Sequence, residues 1–258
     1  MLTEAELETR AALVDELARW AITRIAARPS RDGVSTKSSD SDWVTETDLA
    51  IERHVRRTVQ ERFPEDRIVG EEFGVTETDD ARATWYVDPI DGTTNYVHGL
   101  PWSSFSCAVV DEQGAAVGAV ADPYRREVFS AVRGRGARRN GERIQCTDAG
   151  TLVGGIFLTE LTMQWVWDGL PRLMERLSDA GCVTRIMGSN ALSLASVGAG
   201  RAVATLISQF GPIDCHAGAL IAAEAGASVR FQGKSVLCAA PGVVDELLEL
   251  VRSPRDRG

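Results

Sequence analysis

Apolar residues recur every three or four positions near the N-terminus, which predicts a long amphipathic helix. Its apolar face comprises Leu7, Ala11, Val14, Ala18, Ala21 and Ile25. Thr3 and Glu6 have the spacing of a capping box at its start. The same period predicts a second helix over residues 46–63, with Ile51, Val55, Val59 and Phe63 on one face.

Between residues 102 and 143 the period changes, because short β-prone runs alternate with glycine-containing turns. This part predicts an antiparallel meander, with strands near 117–121 and 128–132 and a turn at Asn140-Gly141. From about residue 150 strands and helices alternate, as in helices layered on a sheet. The elements predicted there are strands at Ile156–Thr159, 183–184 and 203–207, and helices near 164–180, Asn190–Gly198 and 215–225.

The pattern predicts an α/β fold of one structural unit, since no repeat or low-complexity linker divides the chain. Its N-terminal half (residues 1–148) would carry most of the candidate site, and the C-terminal half (residues 149–258) would complete it. The polar stretch 28–42 is expected to be an exposed loop and the tail 252–258 to be frayed. Trp165-Val166-Trp167 is expected to serve packing or a subunit contact.

Composition narrows the function classes. Hydrophobic residues make up 44% of the chain and charged residues 25%, which is ordinary for a soluble globular protein. A net charge of −9 argues against nucleic-acid binding, which needs clustered cations, and no apolar run reaches membrane-spanning length. The five scattered cysteines form no C-x-x-C pair, so we expect free thiols, no zinc site and a cytoplasmic protein.

The strand-like run Trp85-Tyr86-Val87 is followed by two carboxylates, Asp88 and Asp91, three residues apart. Carboxylate and carbonyl oxygens are the ligands that Mg²⁺ prefers to nitrogen or sulfur. Gly92-Thr93-Thr94 comes next and can open a helix, whose free N–H groups attract phosphate. A metal site beside a phosphate site favours phosphoryl-ester chemistry.

Two further acids also follow apolar runs: Glu71 after Ile68-Val69-Gly70, and Asp214 after Gly211-Pro212-Ile213. This placement predicts that all four acids meet at one rim of a sheet system. Two Mg²⁺ ions roughly 3.5–4 Å apart could then clamp the attacking and leaving oxygens. The alternative is that these acids cap helices or end turns, as Asp214 would if a helix began at Cys215.

Asp48 and Thr93 are candidates for activating the attacking water, because a hydroxyl backed by a carboxylate can relay a proton. An equally supported interpretation makes Thr45 the N-cap of the second helix and Asp48 a partner of its dipole. Lys37, in the polar loop, is either a solvated charge or a cation that steers phosphate inward.

The three histidines share no metal-ligand spacing and are not proposed as ligands. His54 is expected to be structural or exposed, and His98 to lie at the edge of the phosphate site. His216 follows Asp214 by two residues and is the most interesting of the three, although its role stays open.

These motifs together resemble the inositol monophosphatase family of Mg²⁺-dependent, lithium-sensitive phosphatases. The resemblance rests on Gly70-Glu71-Glu72, the block from Trp85 to Asn95 and the segment around Asp214. Residues 37–48 resemble the family's mobile-loop lysine and its Asp-x-Val-Thr-x-x-Asp segment, and residues 211–227 its C-terminal signature. The blocks occur in the family's order over nearly the whole chain.

The resemblance implies a layered αβαβα sandwich of the inositol monophosphatase and fructose-1,6-bisphosphatase type, a homodimer, and two or three Mg²⁺ ions per subunit. The first metal would be held by Glu71, Asp88 and the Ile90 carbonyl, the second by Asp88, Asp91 and Asp214. Glu71 would also help to hold a third ion. The phosphate would be bound by backbone N–H groups of Gly92, Thr93 and Thr94, while Thr93 with Asp48 would activate the water.

The substrate pocket is expected to include Asp91, Arg185, Gly188, Ser189, Asn190, Gln209, Asp214 and His216. Three positions depart from the family pattern. Ile213 replaces a tryptophan, His216 a small residue, and Ile207 stands about where inositol phosphatases carry a glutamate that contacts substrate hydroxyls. An apolar side chain cannot make those hydrogen bonds, so we expect the phosphatase chemistry to be kept and the inositol specificity to be altered.

The predicted function is therefore Mg²⁺-dependent hydrolysis of a small phosphate monoester, with inositol 1-phosphate or a related polyol or sugar phosphate as the default. Histidinol phosphate, fructose 1,6-bisphosphate and 3′-phosphoadenosine 5′-phosphate are the alternatives within the family. A catalytically silent binding or scaffold protein is disfavoured, because the full set of acids is present. A nucleic-acid-processing enzyme with two metals would need a basic groove, which the charge disfavours.

Overall fold

The computed structural model describes residues 1–27, 34–36, 43–76, 78–161 and 165–252. The α-helices in these ranges are α1 (Glu4–Ala26), α2 (Glu46–Arg62), α3 (Thr93–His98), α4 (Leu170–Asp179), α5 (Asn190–Gly198), α6 (Pro212–Glu224) and α7 (Val244–Arg252). The strands are β1 (Val34–Thr36), β2 (Trp43–Thr45), β3 (Arg67–Gly70), β4 (Gly74–Thr76), β5 (Thr84–Asp91), β6 (Ser104–Asp111), β7 (Gly114–Asp122), β8 (Glu127–Val132), β9 (Ala137–Arg139), β10 (Glu142–Arg143), β11 (Ile156–Thr159), β12 (Val183–Ile186), β13 (Ala204–Ile207), β14 (Ser228–Gln232) and β15 (Ser235–Ala239).

The two N-terminal helices form as the apolar period predicts. Thr3 and Glu6 make a reciprocal capping box at the start of α1, which satisfies two N–H groups that have no partner within the helix. In α2 the residues Ile51, Val55 and Val59 are fully buried, because the four-residue spacing keeps them on one face. Both helices pack on the same side of a large sheet.

The large sheet has eight strands in the order β10-β9-β8-β7-β6-β5-β3-β4. Its neighbours pair antiparallel except β3 and β5, which are parallel. The predicted meander is therefore confirmed over β6–β10. Asn140 and Gly141 connect β9 to β10 with φ angles of 51° and 89°, the left-handed backbone that a two-residue hairpin turn requires.

A second sheet of five strands has the order β12-β11-β13-β15-β14. Helices α5 and α6 lie between the two sheets: one apolar cluster joins them to β6–β9 and another joins them to β11, β13 and β15. Helices α4 and α7 cover the outer face of the small sheet. The five layers confirm the expected αβαβα sandwich.

Helix α6 lies especially close to the large sheet. An added Cβ at Gly118 on β7 would come within 2.9 Å of the Ala217 Cα, so the backbones of β7 and α6 approach with no side chain between them. This approach brings the first turn of α6, which carries Asp214, beside the ends of β5 and β6.

Two helix starts were predicted wrongly. Helix α4 begins at Leu170 and not near residue 164, because Gly169 has a left-handed backbone (φ 93°) and Pro171 suits only a first helical turn. Helix α6 begins at Pro212 and not at Cys215, for the same reason at Pro212. Asp214 therefore lies inside the first turn and is not an N-cap; Gly211 is the cap residue and makes no side-chain cap bond.

The two tryptophans of the run 165–167 differ in their surroundings. Trp167 packs against the outer cluster of the small sheet, and its indole N–H donates to the Glu160 carbonyl at 3.2 Å. Trp165 is 78% exposed, which leaves it available for a subunit contact. All five cysteines lie within the described ranges and are free thiols. No helix there combines the length and the apolar character needed to cross a membrane.

Candidate active site

Strand β5 is anchored at its start by a buried polar network. The Trp85 indole N–H donates to Asp66 Oδ2 at 2.8 Å, and the Arg10 guanidinium donates to both oxygens of the same carboxylate at 2.8 and 2.9 Å. Beyond this anchor β5 pairs regularly with β6 as far as Asp88, where the register shifts before Asp91. Pro89 lies at this irregularity and has no N–H to donate to a neighbouring strand.

The irregular end of β5 lies in a cavity of about 310 Å³, which we call the acid cavity. Its lining residues include Glu71, Asp88, Ile90, Asp91, Thr93 and Asp214. Asp88 and Asp91 are buried on β5, Glu71 lies in the turn after β3, and Asp214 comes from α6. The structure therefore brings together the four acids that the sequence placed after apolar runs.

Gly92 joins β5 to the short helix α3 and requires the conformational freedom of glycine. Its φ is 90°, and an added Cβ would lie 2.7 Å from the Gly188 carbonyl oxygen. Thr93, the first residue of α3, donates its hydroxyl to the Ile90 carbonyl at 2.9 Å. Gly92 and Thr93 both line the acid cavity, whereas Thr94 is exposed and is not among its lining residues.

Hydrogen bonds from one segment of the C-terminal half hold two of the acids. Asp91 Oδ2 accepts from the Ser189 hydroxyl at 2.5 Å and from the Ala191 N–H at 2.7 Å. Asp214 Oδ2 accepts from the Asn190 side chain at 2.6 Å. Ser189 also caps α5 by accepting from the Leu192 N–H at 3.3 Å. The start of this helix therefore holds its own backbone and the carboxylates of Asp91 and Asp214.

A buried glutamate on α2 holds the turn that carries Glu71. The Glu52 carboxylate accepts from the N–H groups of Glu72 and Phe73, at 2.7 and 3.1 Å, and pairs with Arg56 at 2.7 Å. Gly70 is required here, since an added Cβ would lie 2.0 Å from Glu52 Oε1. The sequence analysis missed Glu52, and only its place among the apolar residues of α2 could have indicated it.

Burial and mutual repulsion raise the pKa values of the clustered acids. Desolvation is the largest cause for Asp88, followed by the charges of Glu71, Asp91 and Asp214, and the pKa lies well above its usual range. The pKa of Asp91 is likewise raised by burial and by Asp214, against the opposing hydrogen bond from Ser189. Burial raises the pKa of Asp214 to about 6. A bound cation would relieve all three penalties.

The donor atoms of the acid cavity fit Mg²⁺. Asp88 Oδ1 is buried without a hydrogen-bond partner, and the side chains around it offer carboxylate oxygens, which are hard ligands. No group of three or more His, Cys, Asp or Glu side chains among the described residues is already arranged as a metal site. Carboxylates that repel one another are expected to close only around the cation.

Asp48 is buried on α2 and forms the capping box that was its alternative interpretation. Its Oδ2 accepts from the Thr45 N–H at 2.9 Å and from the Thr45 hydroxyl at 2.5 Å. Its Oδ1 is buried without a partner, and burial raises its pKa to about 7, with Glu71 and Glu72 adding to the shift. The Thr93 hydroxyl donates to Ile90 instead, so this conformation does not join the two residues of the predicted relay.

A second cavity of about 300 Å³, which we call the adjoining cavity, shares Gly211 and Asp214 with the first. Its other lining residues include Glu160, Leu161, Asn190, Ile207, Gln209 and Phe210. Asn190, Gln209 and Asp214 were predicted to lie in the substrate pocket. Ile207 is 2% exposed and contributes an apolar wall where inositol phosphatases were expected to carry a carboxylate.

The sequence analysis also missed Glu160, which follows β11 directly. Its carboxylate accepts from the Gly188 N–H at 2.5 Å and from the Ser193 hydroxyl at 2.6 Å. Burial raises its pKa to about 7, although the Ser193 hydroxyl and the backbone of Gly188 act in the opposite direction. The apolar run Ile156-Phe157-Leu158 that ends in Thr159-Glu160 was the available signal, because the other acids follow such runs.

Several predicted substrate residues lie outside the two cavities. Arg185 is exposed on β12 and donates to the Thr184 carbonyl at 2.9 Å. His216 packs between Tyr86 and Phe210, with ring centroids 5.1 and 5.0 Å away, and burial lowers its pKa. Gly188 and Ser189 act on Glu160 and Asp91 and line neither cavity. Lys37 lies outside the described residues.

Comparison with known proteins agrees with this geometry. A model of the inositol monophosphatase family matches residues 6–250. The chain belongs to this family. Its members are metal-dependent phosphatases, and the chain is accordingly a phosphoric monoester hydrolase.

Individual family members are similar over most of the chain. An inositol-1-monophosphatase of Mycobacterium bovis is 39% identical over 240 residues, which cover 83% of this chain and 80% of that protein. A Pasteurella multocida protein named Nus factor SuhB is 35% identical over 234 residues, with 84% and 85% covered. The solved structure of a Thermotoga maritima IMPase aligns with a TM-score of 0.84 at 31% identity, covering 94% of this chain and 96% of that one.

A more distant family structure contains the groups expected here. An IMPase/NADP phosphatase complexed with Mg²⁺ and phosphate aligns with a TM-score of 0.81 over 96% of this chain and 97% of its own. At 20% identity this likeness shows the shared fold only.

Proposed function

We propose that the chain hydrolyses a small phosphate monoester with Mg²⁺ bound in the acid cavity. The observation that carries the proposal is the meeting of Glu71, Asp88, Asp91 and Asp214 around the start of α3 in one cavity. Two of the acids come from β5, and Glu71 and Asp214 come from distant parts of the sequence. The dipole of α6 favours an acid in its first turn, but it does not explain why Asp214 lines the same cavity as the other three acids. A silent scaffold would gain nothing from carboxylates that repel one another in one cavity.

The donor set assigns Mg²⁺ to the carboxylates of Glu71, Asp88, Asp91 and Asp214 and to the carbonyl oxygen of Ile90. When bound, Mg²⁺ supplies positive charge at the phosphate and lowers the pKa of water. Two or three ions would be accommodated, and lithium is expected to inhibit by competing for this site.

The residues of the chain orient the substrate for that chemistry. Backbone N–H groups at the start of α3, from Gly92 to Thr94, have no partners within the helix and would hold phosphate oxygens. The Thr93 hydroxyl, which donates to Ile90, would have to turn toward the attacking water and pass its proton to Asp48. The unpartnered Oδ1 of Asp48 is the atom that would accept it.

We propose that the alcohol part of the substrate occupies the adjoining cavity, because this cavity shares Asp214 with the acid cavity. Inositol 1-phosphate or a related polyol or sugar phosphate remains the default substrate. Asn190 and Gln209 offer hydrogen bonds to hydroxyl groups, whereas Ile207 and Phe210 offer apolar contact. This mixture favours a substrate with fewer ring hydroxyls on the Ile207 side than inositol presents.

The test is phosphate release from inositol 1-phosphate, histidinol phosphate, fructose 1,6-bisphosphate, several sugar phosphates and 3′-phosphoadenosine 5′-phosphate, with and without Mg²⁺ and Li⁺. Mg²⁺-dependent, Li⁺-sensitive release from one compound would support the proposal and identify the substrate. Release that is unaffected when EDTA removes the metal would refute the metal assignment.

The assembly is proposed to be a cytoplasmic homodimer that buries exposed apolar residues around β12. Val183 and Ile186 on β12 are 44% and 41% exposed, and Trp165 is 78% exposed. Sedimentation of the wild type and of Trp165→Ser would test this, with dissociation expected in the variant.

The absence of nucleic-acid binding stays a prediction, since one relative is named a Nus factor. Salt-dependent binding to RNA is the measurement that tests it.

A further inference from the structure

Glu160 binds the segment 187–191 with one carboxylate oxygen and Ser193, in the first turn of α5, with the other. It follows β11 and is 6% exposed, with Oε2 accepting from the Gly188 N–H at 2.5 Å and Oε1 from the Ser193 hydroxyl at 2.6 Å. β11 is fixed beside β13 by the Thr159 hydroxyl, which donates to the Leu206 carbonyl at 2.7 Å. Glu160 is therefore a buried acceptor carried by a rigid strand.

The opposite side of the same segment holds two acids of the acid cavity. Ser189 and Ala191 donate to Asp91, and Asn190 donates to Asp214. Five consecutive residues thus bind Glu160 on one side and Asp91 with Asp214 on the other. A displacement of the segment from Glu160 would move the donors of both acids together.

The segment also contacts the residues that follow β5. The Asn95 side chain donates to the Met187 carbonyl at 2.6 Å and to the Trp102 carbonyl at 2.8 Å. The Gly188 carbonyl lies so close to Gly92 that no Cβ fits between them. The segment is consequently gripped between Glu160 and the residues that follow β5.

We propose that Glu160 is a positioning residue that sets the orientation of Asp91 and Asp214 for the cation. The inference rests on the proposed function, in which these two acids hold Mg²⁺. Residues that orient metal ligands through hydrogen bonds typically change metal affinity by about 10–100-fold when they are replaced.

Glutamine can keep these contacts, because only the Gly188 N–H requires an acceptor and the Ser193 hydroxyl can itself accept. In Glu160→Gln the amide oxygen would accept from Gly188 and the amide nitrogen would donate to Ser193. Alanine removes both acceptors. Glu160→Gln therefore tests the charge alone, whereas Glu160→Ala tests the contacts with the segment.

The experiment measures Mn²⁺ binding by electron paramagnetic resonance, without substrate, in Glu160→Ala, Glu160→Gln, Ser193→Ala and the control Asp111→Asn. Asp111 is a buried carboxylate that accepts from Leu2 and Gln113 N–H groups at the opposite end of β6. We expect Glu160→Ala to weaken Mn²⁺ binding about tenfold, and Glu160→Gln and Ser193→Ala to weaken it less. Asp111→Asn should lower the unfolding temperature and leave Mn²⁺ binding unchanged.

A double-mutant cycle tests whether Glu160 acts through the segment. Asn190→Ala removes the donor to Asp214 and leaves the donors to Asp91, so Glu160→Ala combined with Asn190→Ala should weaken Mn²⁺ binding by less than the product of the two separate effects. Full multiplication of the two effects, wild-type binding by Glu160→Ala, or equal losses in Glu160→Ala and Glu160→Gln would overturn the inference. Failure of the proposed function looks different, since the wild type itself would then bind no Mn²⁺ and release no phosphate.

Discussion

The two neighbouring cavities are nearly equal in volume, about 310 and 300 Å³, but the chain builds them in different ways. The acid cavity takes half of its lining from one contiguous block, residues 88–93, and the rest from Glu71 and residues 211–214. The adjoining cavity takes its lining from the residues after β11, the start of α5 and the segment after β13. Asp214 belongs to both.

The acid cavity is expected to carry the reaction, and the adjoining cavity is expected to determine which substrate is used. In the acid cavity, carboxylates occupy positions where burial and mutual repulsion raise their pKa values, and only a cation gives such a cluster a favourable role. In the adjoining cavity the buried Ile207 and the partly exposed Phe210 alternate with polar residues. Changes in the first cavity should therefore abolish turnover, and changes in the second should redistribute it among substrates.

The largest effect is expected from Asp91→Asn. Removing a proposed metal ligand should reduce kcat/KM by about three orders of magnitude, equivalent to about 4 kcal/mol of transition-state stabilisation. The metal-free variant should unfold at the same or a higher temperature than the wild type, because one of the repelling charges is removed. Steady-state kinetics measure the change in kcat/KM, and calorimetry measures the unfolding temperature of the metal-free variant.

Asp111→Asn is the matched control, because that carboxylate is also buried but has an Arg133 partner that lowers its pKa. It should lose stability and keep its activity, the reverse of Asp91→Asn. Near-normal turnover by Asp91→Asn would remove this acid from the metal site.

Asp48→Asn should have the next largest effect and act on rate. Loss of a proton acceptor should reduce kcat by about 10²-fold with little change in the Mg²⁺ concentration at half-maximal activity. Asparagine can still accept from the Thr45 N–H, so the capping box is largely kept. Mg²⁺ titrations at saturating substrate make the measurement.

Thr45→Ala provides the comparison for Asp48. It removes the hydroxyl of the capping box and leaves the carboxylate in place. If Asp48 serves only as a cap, Thr45→Ala should lose about 1 kcal/mol of stability, Asp48→Asn should lose less, and neither should lose much activity. A large increase in the Mg²⁺ requirement of Asp48→Asn would make Asp48 a ligand instead.

The acid cavity was predictable from sequence because its chemistry is local. Asp88, Ile90, Asp91, Gly92 and Thr93 are contiguous, and strand geometry alone brings such residues to one end of β5. The helices α1 and α2 and the meander follow simple periods and were accessible in the same way, whereas the five-layer arrangement was expected from the family resemblance. Two helix starts were predicted wrongly, at Gly169 and Pro212, where a glycine or proline fixed the start of the helix.

The residues that support the site could not be predicted from local patterns. Glu52 and Glu160 act on backbone N–H groups 20 and 28 residues away, and no spacing rule connects them to those groups. The Thr93–Asp48 pair shows the opposite limit, because the motif is present but each side chain has another partner in this conformation. Such supporting contacts depend on the tertiary fold, and the spacing of apolar residues along the sequence does not specify them.

Ile207→Glu should act on specificity with a smaller effect. A carboxylate in the wall of the adjoining cavity should raise kcat/KM for inositol 1-phosphate, relative to the best other substrate, by about tenfold. Ile207→Gln offers the same hydrogen-bonding capacity without burying a charge, in case the glutamate destabilises β13. An unchanged substrate ratio in both folded variants would place the alcohol elsewhere.

The smallest effect concerns pH and sharpens the contrast in charge between the cavities. Burial raises the folded-state pKa of Asp214 to about 6 and that of Asp48 to about 7, with Asp88 and Asp91 also raised, whereas unfolded aspartates titrate near pH 4. Below about pH 4 these groups are neutral in both states and cost nothing. As the pH rises from about 4 toward 7, the aspartates ionise in the unfolded chain while the folded groups still hold their protons, so the metal-free protein should lose stability over this window.

Mg²⁺ stabilises the ionised cluster, and the increase in unfolding temperature on adding Mg²⁺ should therefore be about 5 °C larger at pH 7.5 than at pH 5. Asp91→Asn should reduce that difference and Ile207→Gln should preserve it; an equal Mg²⁺ shift at both pH values would mean that the cation does not bind at these carboxylates.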